Sequence, residues 1–402
     1  MSKKHILVLV ENLPVPLDRR VWQESCALRD AGYEVTVICP RMRGYHVPEE
    51  TLEGIHIHRH WISSEAGGLA GFIMEYLSAL WGEWWLAWKI WFTRPFHAIH
   101  LCNPPDLLFL VALPFRWLGV KVVYDVHDLW PEMFEAKFEK RGLLYWAVRA
   151  AERATFAIAH VVLSTNQSVR QVALERGHKS PSHVFEVRTA PKVASDTYAP
   201  DPALRRGRRF LVGYVGVMGN ADGVEILVRA AHHIVFHRGR KDVQFLLMGT
   251  GPEHSALVHL RDQLGLQEFV ELPGRVSNEF LFRGLRTMDA GVSCDPINDY
   301  NHHCTMNKVL EYMAFAKPQV LFDLREGRAS AGDAAVYVGE SNPKALGDAL
   351  LTLLDDPALC HKMGERGYRR LHTLLSWDHS VAQLTAAYSS LFDRDMKSKD
   401  NA

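Results

Sequence analysis

Two charged side chains three residues apart, Lys308 and Glu311, form the pair in this 402-residue sequence whose types and spacing best suit chemistry. They lie in a stretch where Thr305 is a good helix N-cap and apolar residues recur at helical spacing. A helix that begins in a polar loop presents free N–H groups and a partial positive charge, which suit a phosphate. Lys308 adds a full charge, and Glu311 can accept hydrogen bonds from ribose hydroxyls. An amphipathic helix with a solvated Lys–Glu pair fits the same spacing equally well.

A resemblance decides between these two interpretations. The run from Thr305 to Pro318 reads Thr-Met-Asn-Lys-Val-Leu-Glu-Tyr-Met-Ala-Phe-Ala-Lys-Pro. It resembles the nucleotide-sugar signature of family 4 glycosyltransferases, which are retaining enzymes of GT-B fold, especially those of bacterial polysaccharide assembly. The resemblance implies that Glu311 holds the nucleotide ribose. This chain departs from the family pattern at His303, where many members have a second Glu, and at Ala316, which replaces the usual Gly.

A glycine-rich turn follows the predicted strand 210–215. Glycine lets the backbone approach a diphosphate closely, although a turn between a strand and a helix is more often only a turn. The spacing Gly213-x-x-Gly216-x-x-Gly219 differs from the GxGxxG of dinucleotide-binding folds and argues against NAD. The family resemblance implies that Gly216 and Gly219 contact the donor.

The negative charge of such a donor needs compensation. Many family members carry an Arg and a Lys near this turn, whereas residues 213–228 contain neither. The charge is therefore expected from Lys308, from the N–H groups at the start of its helix, or from Arg275. Arg275 follows the predicted strand 269–273, and the family match there contacts the nucleotide base region. The residues assigned to the donor are Gly216, Gly219, Arg275, Thr305, Met306, Asn307, Lys308 and Glu311.

A histidine in the first half of the chain is the next candidate for chemistry. His127 lies in Asp-Val-His-Asp-Leu-Trp-Pro-Glu, directly after the predicted strand 121–124. Ligands of open α/β sheets bind at such carboxyl ends, where the imidazole can bond sugar hydroxyls and Asp128 can orient it. A lone histidine after a strand is more often structural, but this segment resembles the family segment that carries an active-site His. The resemblance therefore implies that His127 contacts the donor sugar.

The loop after the first predicted strand, 6–10, lies at the same type of strand end. The following helix is predicted to begin after Asp18 as its N-cap and completes a βαβ unit with the next strand. Asp18, Arg19 and Arg20 could bind an acceptor, although a helix cap with solvated arginines is at least as consistent with the sequence. A similar stretch in the family favours acceptor binding, and Asp128 is assigned to the same acceptor site.

Residues 69–93 form an unusually aromatic helical segment with a narrow polar stripe. Glu75, Glu83 and Lys89 argue against a membrane span, because each charge costs about 2.5–3.5 kcal/mol at the bilayer centre. Two interpretations remain: a buried helix of the first domain, or an interfacial helix whose indoles lie at the level of the lipid headgroups. Family members that act on lipid-linked acceptors favour the second. The aromatic residues are Phe72, Tyr76, Trp81, Trp84, Trp85, Trp88, Trp91 and Phe92.

The composition bears on several other classes of function. Basic and acidic residues each number 46, so a strong general field for nucleic acid is not expected. The six cysteines lack CxxC spacing, which favours reduced thiols in a cytosolic protein over disulfides or zinc. Because protein groups can hold a diphosphate, we predict no metal and no cofactor besides the nucleotide sugar. The apolar run near the amino terminus is too short for a signal peptide, and we expect a cytoplasmic protein with peripheral contact to the inner membrane face.

The alternation of strands and helices predicts an α/β protein, and the resemblance implies two Rossmann-like domains facing across a cleft. We place the acceptor domain at 1–195, the nucleotide-sugar domain at 208–375, and a closing helix at 376–395 that returns to the first domain. The expected activity is retaining transfer of a hexosyl or N-acetylhexosaminyl group from a donor such as a UDP-sugar to a lipid-linked glycan. A sugar-nucleotide epimerase or hydrolase of this fold, and a non-catalytic nucleotide-sugar-binding partner, remain alternatives.

Overall fold

The computed structural model divides the chain into two compact units, each built on one sheet flanked by helices. The first unit contains Met1–Thr189 and Asp378–Ala402, and the second contains Ala190–Trp377. Residues 192–195, at the end of the predicted first domain, lie outside the described residues. The α/β class expected from the sequence is confirmed. The residues that the structure describes are 3–62, 69–138, 141–191 and 198–399.

Eight strands form the sheet of the first unit. They are β1 (His5–Val10), β2 (Glu34–Pro40), β3 (Glu49–Leu52), β4 (Ile55–His60), β5 (Ala98–Cys102), β6 (Lys121–Val126), β7 (Val161–Ser164) and β8 (Val184–Glu186). Their spatial order is β3-β4-β2-β1-β5-β6-β7-β8. β3 and β4 pair in antiparallel fashion at one edge, and the remaining neighbours pair in parallel. Because a parallel sheet is covered on both faces, strands such as β1 are buried along their whole length.

The helices of the first half cover this sheet. They are α1 (Arg19–Asp30), α2 (Leu69–Thr93), α3 (Phe109–Trp117), α4 (Trp130–Phe138), α5 (Leu143–Ile158) and α6 (Gln167–Glu175). The predicted N-cap of α1 is confirmed, because a side-chain oxygen of Asp18 accepts a hydrogen bond from the Val21 N–H at 3.0 Å. This cap starts α1 directly after the strand-end loop.

The sheet of the second unit has six parallel strands. They are β9 (Phe210–Val215), β10 (Val243–Met248), β11 (Val270–Gly274), β12 (Ala290–Ser293), β13 (Gln319–Phe322) and β14 (Ala335–Val338). The spatial order is β11-β10-β9-β12-β13-β14, so the order reverses between β9 and β12. Ligands of open α/β sheets bind at the carboxyl side of such a switch point.

In the described part of this half, eight α-helices lie between or after these strands, and a ninth follows them. They are α7 (Val224–His232), α8 (His254–Gln263), α9 (Asn278–Thr287), α10 (Asp299–His303), α11 (Asn307–Ala314), α12 (Arg325–Ala331), α13 (Pro343–Leu354), α14 (Pro357–Leu374) and α15 (Trp377–Lys399). Two details of the sequence prediction are wrong. Met306, not Thr305, is the N-cap of α11, and its side chain makes no capping hydrogen bond. The segment before it is not a polar loop, because Asn298 caps the short helix α10 there.

Helix α15 packs within the first unit. The Tyr388 hydroxyl lies 2.9 Å from His100 Nδ1, and the Ser380 hydroxyl donates to the Arg188 carbonyl at 2.8 Å. The helix continues past the predicted end at residue 395 to Lys399. The residues after Asp393 include Arg, Met and Lys and no Gly or Pro, which suits a continuing helix.

Candidate active site

Lys308 is buried at the carboxyl end of the second sheet. Its side chain keeps 7% of its surface exposed, and Nζ donates a hydrogen bond to Asp295 Oδ1 at 2.7 Å. Asp222 lies beside the same amine, with Oδ1 3.8 Å from Nζ. Glu311, one turn further along α11, is also buried. The solvated Lys–Glu pair that spacing alone allows is therefore excluded.

The charges of this group depend on burial and on one another. Burial acts to lower the pKa of Lys308, but the attraction of Asp295 and Asp222 outweighs it, so the pKa is raised and the amine stays protonated. Burial raises the pKa of Asp222, with Lys308 opposing that shift and Asp295 adding to it. Asp295 also accepts a hydrogen bond from the Ser293 hydroxyl. One permanent cation thus lies among two carboxyl groups.

The glycine-rich turn after β9 lies directly against Lys308. A Cβ at Gly216, whose φ is +153°, would approach Lys308 Cε to 3.1 Å. The turn after β10 is equally close, because a Cβ at Gly249 would lie 1.8 Å from the Gly216 carbonyl oxygen. Only glycine fits this contact, so the two backbones meet at the strand ends beside the amine.

Backbone hydrogen bonds connect the ends of the neighbouring strands from Gly216 to the residue before Arg275. The Gly216 N–H donates to the Met248 carbonyl at 3.1 Å, and the Gly249 N–H donates to the Gly274 carbonyl at 3.0 Å. Arg275 therefore follows the strand next to the Gly249 turn, and it is exposed. The residues predicted to bind a donor diphosphate and a base thus belong to one continuous strand-end edge.

The Gly219 N–H, predicted to face a diphosphate, has a carboxylate partner. It donates to Asp222 Oδ2 at 2.9 Å, which closes a short capping turn over residues 219–222. Asp222 therefore contacts two of the groups that we assigned to the donor phosphates, Gly219 and Lys308. Among the start residues of α11, Thr305 and Met306 are half-buried and Asn307 is exposed.

Tyr312 fixes the position of α11 and hence of Glu311. Its hydroxyl donates to the Val292 carbonyl at 2.9 Å and accepts from the Val215 N–H at 3.2 Å. The helix is thereby joined to β12 and β9 on either side of the switch point. His303 lies on α10, where Nδ1 is 2.7 Å from the Asp299 carbonyl oxygen.

The first unit has a different charged group at its strand ends. His127 Nε2 lies 2.5 Å from Asp125 Oδ2, and Asp125 is fully buried at the end of β6. The sequence prediction named Asp128 as the orienting residue, whereas the structure places Asp125 against the ring. Asp125, two residues earlier on an extended strand, points to the same side as His127. The Asp128 carbonyl instead accepts a hydrogen bond from Asn103 Nδ2 at 2.7 Å.

Arg20 belongs to this group and does not lie on an exposed helix surface. Its Nε lies 3.0 Å from Asp125 Oδ2, its Nη2 lies 2.5 Å from Asp125 Oδ1, and 5% of the residue is exposed. The solvated arginine that the sequence also allows at this position is therefore excluded, and the acceptor-binding role of Arg20 stays a prediction. Asp18 is buried as the cap of α1, and Arg19 is the exposed member of the three.

Three metal-ligand types also meet at this position in the described part of the chain. One ligand atom each of His100, Cys102 and Asp125 lies within 4.8 Å of the others. Both oxygens of Asp125 are already bonded by Arg20, and burial raises the pKa of the Cys102 thiol well above its ordinary value. A guanidinium and a protonated thiol disfavour a cation there. The prediction that no metal is needed stays a prediction.

Asp295, Asp222 and Asp125 are the site residues that sequence reasoning missed. Asp125 is near the end of the buried strand β6, Asp295 is two residues after β12, and Asp222 lies in the glycine-rich turn after β9. An acid in such a position has to be paired or hydrogen-bonded, because burial penalises an isolated charge. That rule was a usable signal, although the identity of each partner depends on the tertiary structure.

Helix α2 has one buried and one exposed face. The first is buried through Ala79, Glu83, Ala87 and Ile90. The opposite face is apolar and exposed, and Trp81 on it stacks on the half-buried Trp84, with ring centroids 5.5 Å apart. In the described residues, no helix is long and apolar enough to cross a membrane. The side chains of Phe72 and Glu75 lie outside the described residues. The exposed face consists of Met74, Leu77, Trp81, Trp85 and Phe92.

Two cavities in the second unit lie near α11. One of about 310 Å³ is lined by Gly219, Gly223 and Pro296 among others, and so adjoins the Lys308 group. A larger one of about 670 Å³ lies at the other end of α11 and is lined in part by Phe315, Lys317 and Arg369. The chemistry-bearing residues lie beside the smaller cavity, so size alone does not identify the site.

Comparisons with known proteins agree with this geometry. Residues 209–356 match the family described as Glycosyl transferases group 1, and residues 17–187 match the Glycosyl transferase 4-like domain. Alpha-D-kanosaminyltransferase from Streptomyces kanamyceticus is 28% identical over 273 residues, which cover 64% of this chain and 67% of that protein. The lipopolysaccharide core biosynthesis glycosyltransferase LpsD from Rhizobium meliloti is 29% identical over 230 residues, which cover 56% of this chain and 60% of LpsD.

Solved structures give the same fold over nearly the whole chain. Sucrose-phosphate synthase from Thermosynechococcus elongatus superposes with a TM-score of 0.77 at 17% identity, covering 98% of this chain and 100% of that one. HepE from Anabaena, solved with UDP and glucose, gives a TM-score of 0.71 at 14% identity, covering 96% and 100%.

The two Rossmann-like units and their family matches define a glycosyltransferase of the GT-B class. Within that class, the chain belongs to glycosyltransferase family 4.

Proposed function

We propose that this protein transfers a sugar from a nucleoside diphosphate sugar to a glycan acceptor, with retention at the anomeric carbon. The observation that carries the proposal is the buried Lys308 amine, which stays protonated beside the glycine turn after β9 and one helical turn from Glu311. Similar proteins support the class of substrates: HepE has been solved with UDP-glucose, and LpsD is a lipopolysaccharide core enzyme.

The chemistry of such a transfer depends on stabilising the diphosphate that leaves. Lys308 supplies a fixed positive charge in a partly dry site, where it acts more strongly than in water. The N–H groups at the start of α11 are assigned to the phosphate oxygens, together with the Gly219 N–H, which Asp222 would have to release. Glu311 is assigned to the ribose hydroxyls, and His127 to a hydroxyl of the donor sugar.

Glu311 gives a direct test of this assignment. In an assay of transfer from UDP- and GDP-sugars to extracted glycan acceptors, Glu311→Ala should reduce kcat/KM by about 100-fold, because hydrogen bonds to a charged group are lost. Glu340→Ala, an exposed glutamate of the same unit, serves as the matched control and should retain activity. Unchanged turnover in a folded Glu311→Ala protein would remove this residue from the site.

The products separate the proposal from its rivals. A retaining transferase gives a glycoside of the donor's anomeric configuration, whereas a sugar-nucleotide epimerase or hydrolase consumes its substrate without any acceptor. A non-catalytic partner would bind the nucleotide sugar in calorimetry and transfer nothing. Turnover without acceptor, or binding without transfer, contradicts the proposed activity.

We further propose that the acceptor is lipid-linked and that α2 lies on the membrane surface. Trp81 and Trp85 are 66% and 60% exposed on a face opposite the one that packs on the sheet. Contiguous exposed apolar side chains of this kind mark interaction surfaces, and indoles favour the headgroup region.

Vesicle binding tests this membrane contact. The wild-type protein should sediment with phosphatidylethanolamine–phosphatidylglycerol vesicles. The double variant Trp81→Ser/Trp85→Ser should bind about tenfold more weakly, because it lacks the two indoles that the wild type would bury among the lipid headgroups. Phe236→Ser, at an exposed aromatic of the second unit, is the control and should not change binding. Equal sedimentation of the double variant and wild type would rule out this surface.

A further inference from the structure

The imidazole of His127 is held by an ionised carboxylate. Asp125 is fully buried, and burial acts to raise its pKa, but the charges of Arg20 and His127 outweigh that effect and hold the pKa well below its ordinary value. An ionised carboxylate has only lone pairs to offer. Because Asp125 Oδ2 lies 2.5 Å from His127 Nε2, the hydrogen between them must belong to the nitrogen.

Arg20 keeps the carboxylate in this state and orientation. Its guanidinium contacts both oxygens of Asp125, and its Nη1 donates to the Val187 carbonyl at 2.5 Å, so it cannot rotate freely. Glu24 contributes a second carboxyl 3.0 Å from Nη2. Arg20 carries a permanent positive charge, so Asp125 has a partner at every physiological pH.

The backbone of His127 is fixed independently of its ring. Asn103 Oδ1 accepts hydrogen bonds from the N–H groups of His127 and Asp128, at 2.7 and 3.3 Å. Asn103 Nδ2 donates to Asp106 Oδ1 at 2.9 Å, which determines the orientation of the amide. The ring therefore has a fixed anchor at Cα and a fixed partner at Nε2.

We infer that Asp125, oriented by Arg20, is a positioning residue that selects the Nε2–H tautomer of His127, so that Nδ1 is the nitrogen available to accept a hydrogen bond from a substrate hydroxyl. The role of Nδ1 rests on the proposed function, whereas the tautomer itself does not. His127 therefore accepts a hydrogen bond from a sugar hydroxyl and does not donate one to it. Arg20 acts through Asp125 and need not touch a substrate.

The tautomer can be measured on the wild-type protein without substrate. In long-range proton–nitrogen NMR of protein labelled at histidine nitrogens, the His127 signals are assigned by their loss in His127→Gln. At a pH where the ring is neutral, Nε2 should show the shift of a protonated nitrogen and Nδ1 that of an unprotonated one. A protonated Nδ1 in neutral His127 would overturn the inference, even if the protein proves to be an active transferase.

Asp125→Asn should weaken this preference. Arg20 donates to both oxygens of Asp125, so either orientation of the amide sets its NH₂ group against an Arg20 N–H, and His127 Nε2 loses its ionised acceptor. We expect kcat/KM for transfer to fall about 10- to 100-fold. Asp30→Asn makes the same change at an exposed acid of α1, away from the Asp125–His127 contact, so it should change neither tautomer nor rate.

A double-variant cycle separates positioning from support of the fold. In a His127→Ala background, Asp125→Asn should lower kcat/KM less than twofold further, because it acts through the missing ring. An equal loss in both backgrounds would show that Asp125 serves only the structure and would refute the inference. Failure of every nucleotide sugar to react would refute the proposed function and leave the NMR result standing.

Discussion

The strand ends of the two units both carry a buried charged group, but the two groups balance charge differently. In the first unit, Arg20 donates hydrogen bonds to both oxygens of Asp125. Asp125 in turn holds the ring of His127, which has a neutral form. In the second unit, the Lys308 amine lies between Asp295 and Asp222, and Asp222 is partly exposed, whereas Glu24, the second carboxyl beside Arg20, is buried. The first group suits the orientation of the hydrogen-bonding ring of His127. The second group can change its net charge when one of its carboxyl groups takes up a proton.

This difference bears on how a diphosphate would bind. A site that carries two carboxylates and one amine repels an anion unless one carboxylate moves or takes up a proton. Asp222 is the candidate, because its pKa is raised by burial and its side chain is partly exposed, whereas Asp295 is buried in contact with Ser293 and Lys308. Nucleotide binding to the second unit should therefore be linked to pH, and the orientation of His127 should not.

The largest expected effect is that of removing the cation. Lys308→Met combined with Asp295→Asn deletes the ion pair without leaving a buried charge, which by itself would cost about 3–5 kcal/mol. We expect transfer to fall by at least about 100-fold, since one electrostatic donor to a leaving group is worth that much. Steady-state rates with a nucleotide sugar measure the loss.

A lysine at the other end of α11 gives the matched control. Lys317 is also largely buried, and its Nζ donates to the Arg286 carbonyl at 2.7 Å. Lys317→Met should lower stability and retain turnover. Equal activity losses in the two lysine variants would mean that Lys308 only supports the fold, and the contrast between the two units would disappear.

A smaller effect is expected from Asp222→Asn. The amide keeps an oxygen for the Gly219 N–H but removes a negative charge beside Lys308, so UDP should bind about three- to tenfold more tightly at pH 8, a gain of about 1 kcal/mol. Because the pKa of Asp222 is raised, wild-type affinity should increase as the pH falls toward that value, and the variant should show less of this dependence. Calorimetry at several pH values measures both trends, with Asp333→Asn, at an exposed acid, as control. Weaker binding by Asp222→Asn would contradict the charge argument.

Glu83 extends the comparison to a buried carboxyl that lacks a cation. It is fully buried on α2, and neither carboxyl oxygen has a hydrogen-bond partner among the described residues. Burial, with Glu11 adding to it, raises its pKa well above the ordinary value. Glu83→Gln should therefore increase the free energy of unfolding near pH 8 by about 1–2 kcal/mol.

The sign of the pH dependence follows from that raised pKa. A carboxyl that binds its proton more tightly when folded contributes stability below its unfolded pKa, near 4.3, and loses it as the pH rises through the folded value. The gain from Glu83→Gln should thus be larger at pH 8 than at pH 5 in denaturant unfolding. Glu365→Gln, at an exposed position, should change little. A gain independent of pH would mean that Glu83 is ionised in both the folded and the unfolded state, which would contradict its raised pKa.

The sequence predicted the features that depend on local patterns. Continuous apolar runs identified the parallel strands, and Asp18 identified the start of α1. The edge hairpin of β3 and β4 was missed because β3 has only four residues, all exposed or half-buried, and β4 lacks a continuous apolar run. The burial of Arg20 was not predicted, because helical spacing cannot tell an exposed arginine from one whose partner is 105 residues away. The pairing of Lys308 with Asp295 could not be predicted for the same reason, since it depends on how β12 and α11 pack.

A crystal structure of the whole protein soaked with UDP tests most directly the central claim that the Lys308 group of the second unit binds the donor diphosphate. We expect the diphosphate oxygens within hydrogen-bonding distance of Lys308 Nζ and the backbone of residues 216–219, with the ribose hydroxyls on Glu311. Nucleotide density in the cavity of about 670 Å³ beside Phe315 and Lys317, with the Lys308 group unchanged, would contradict it.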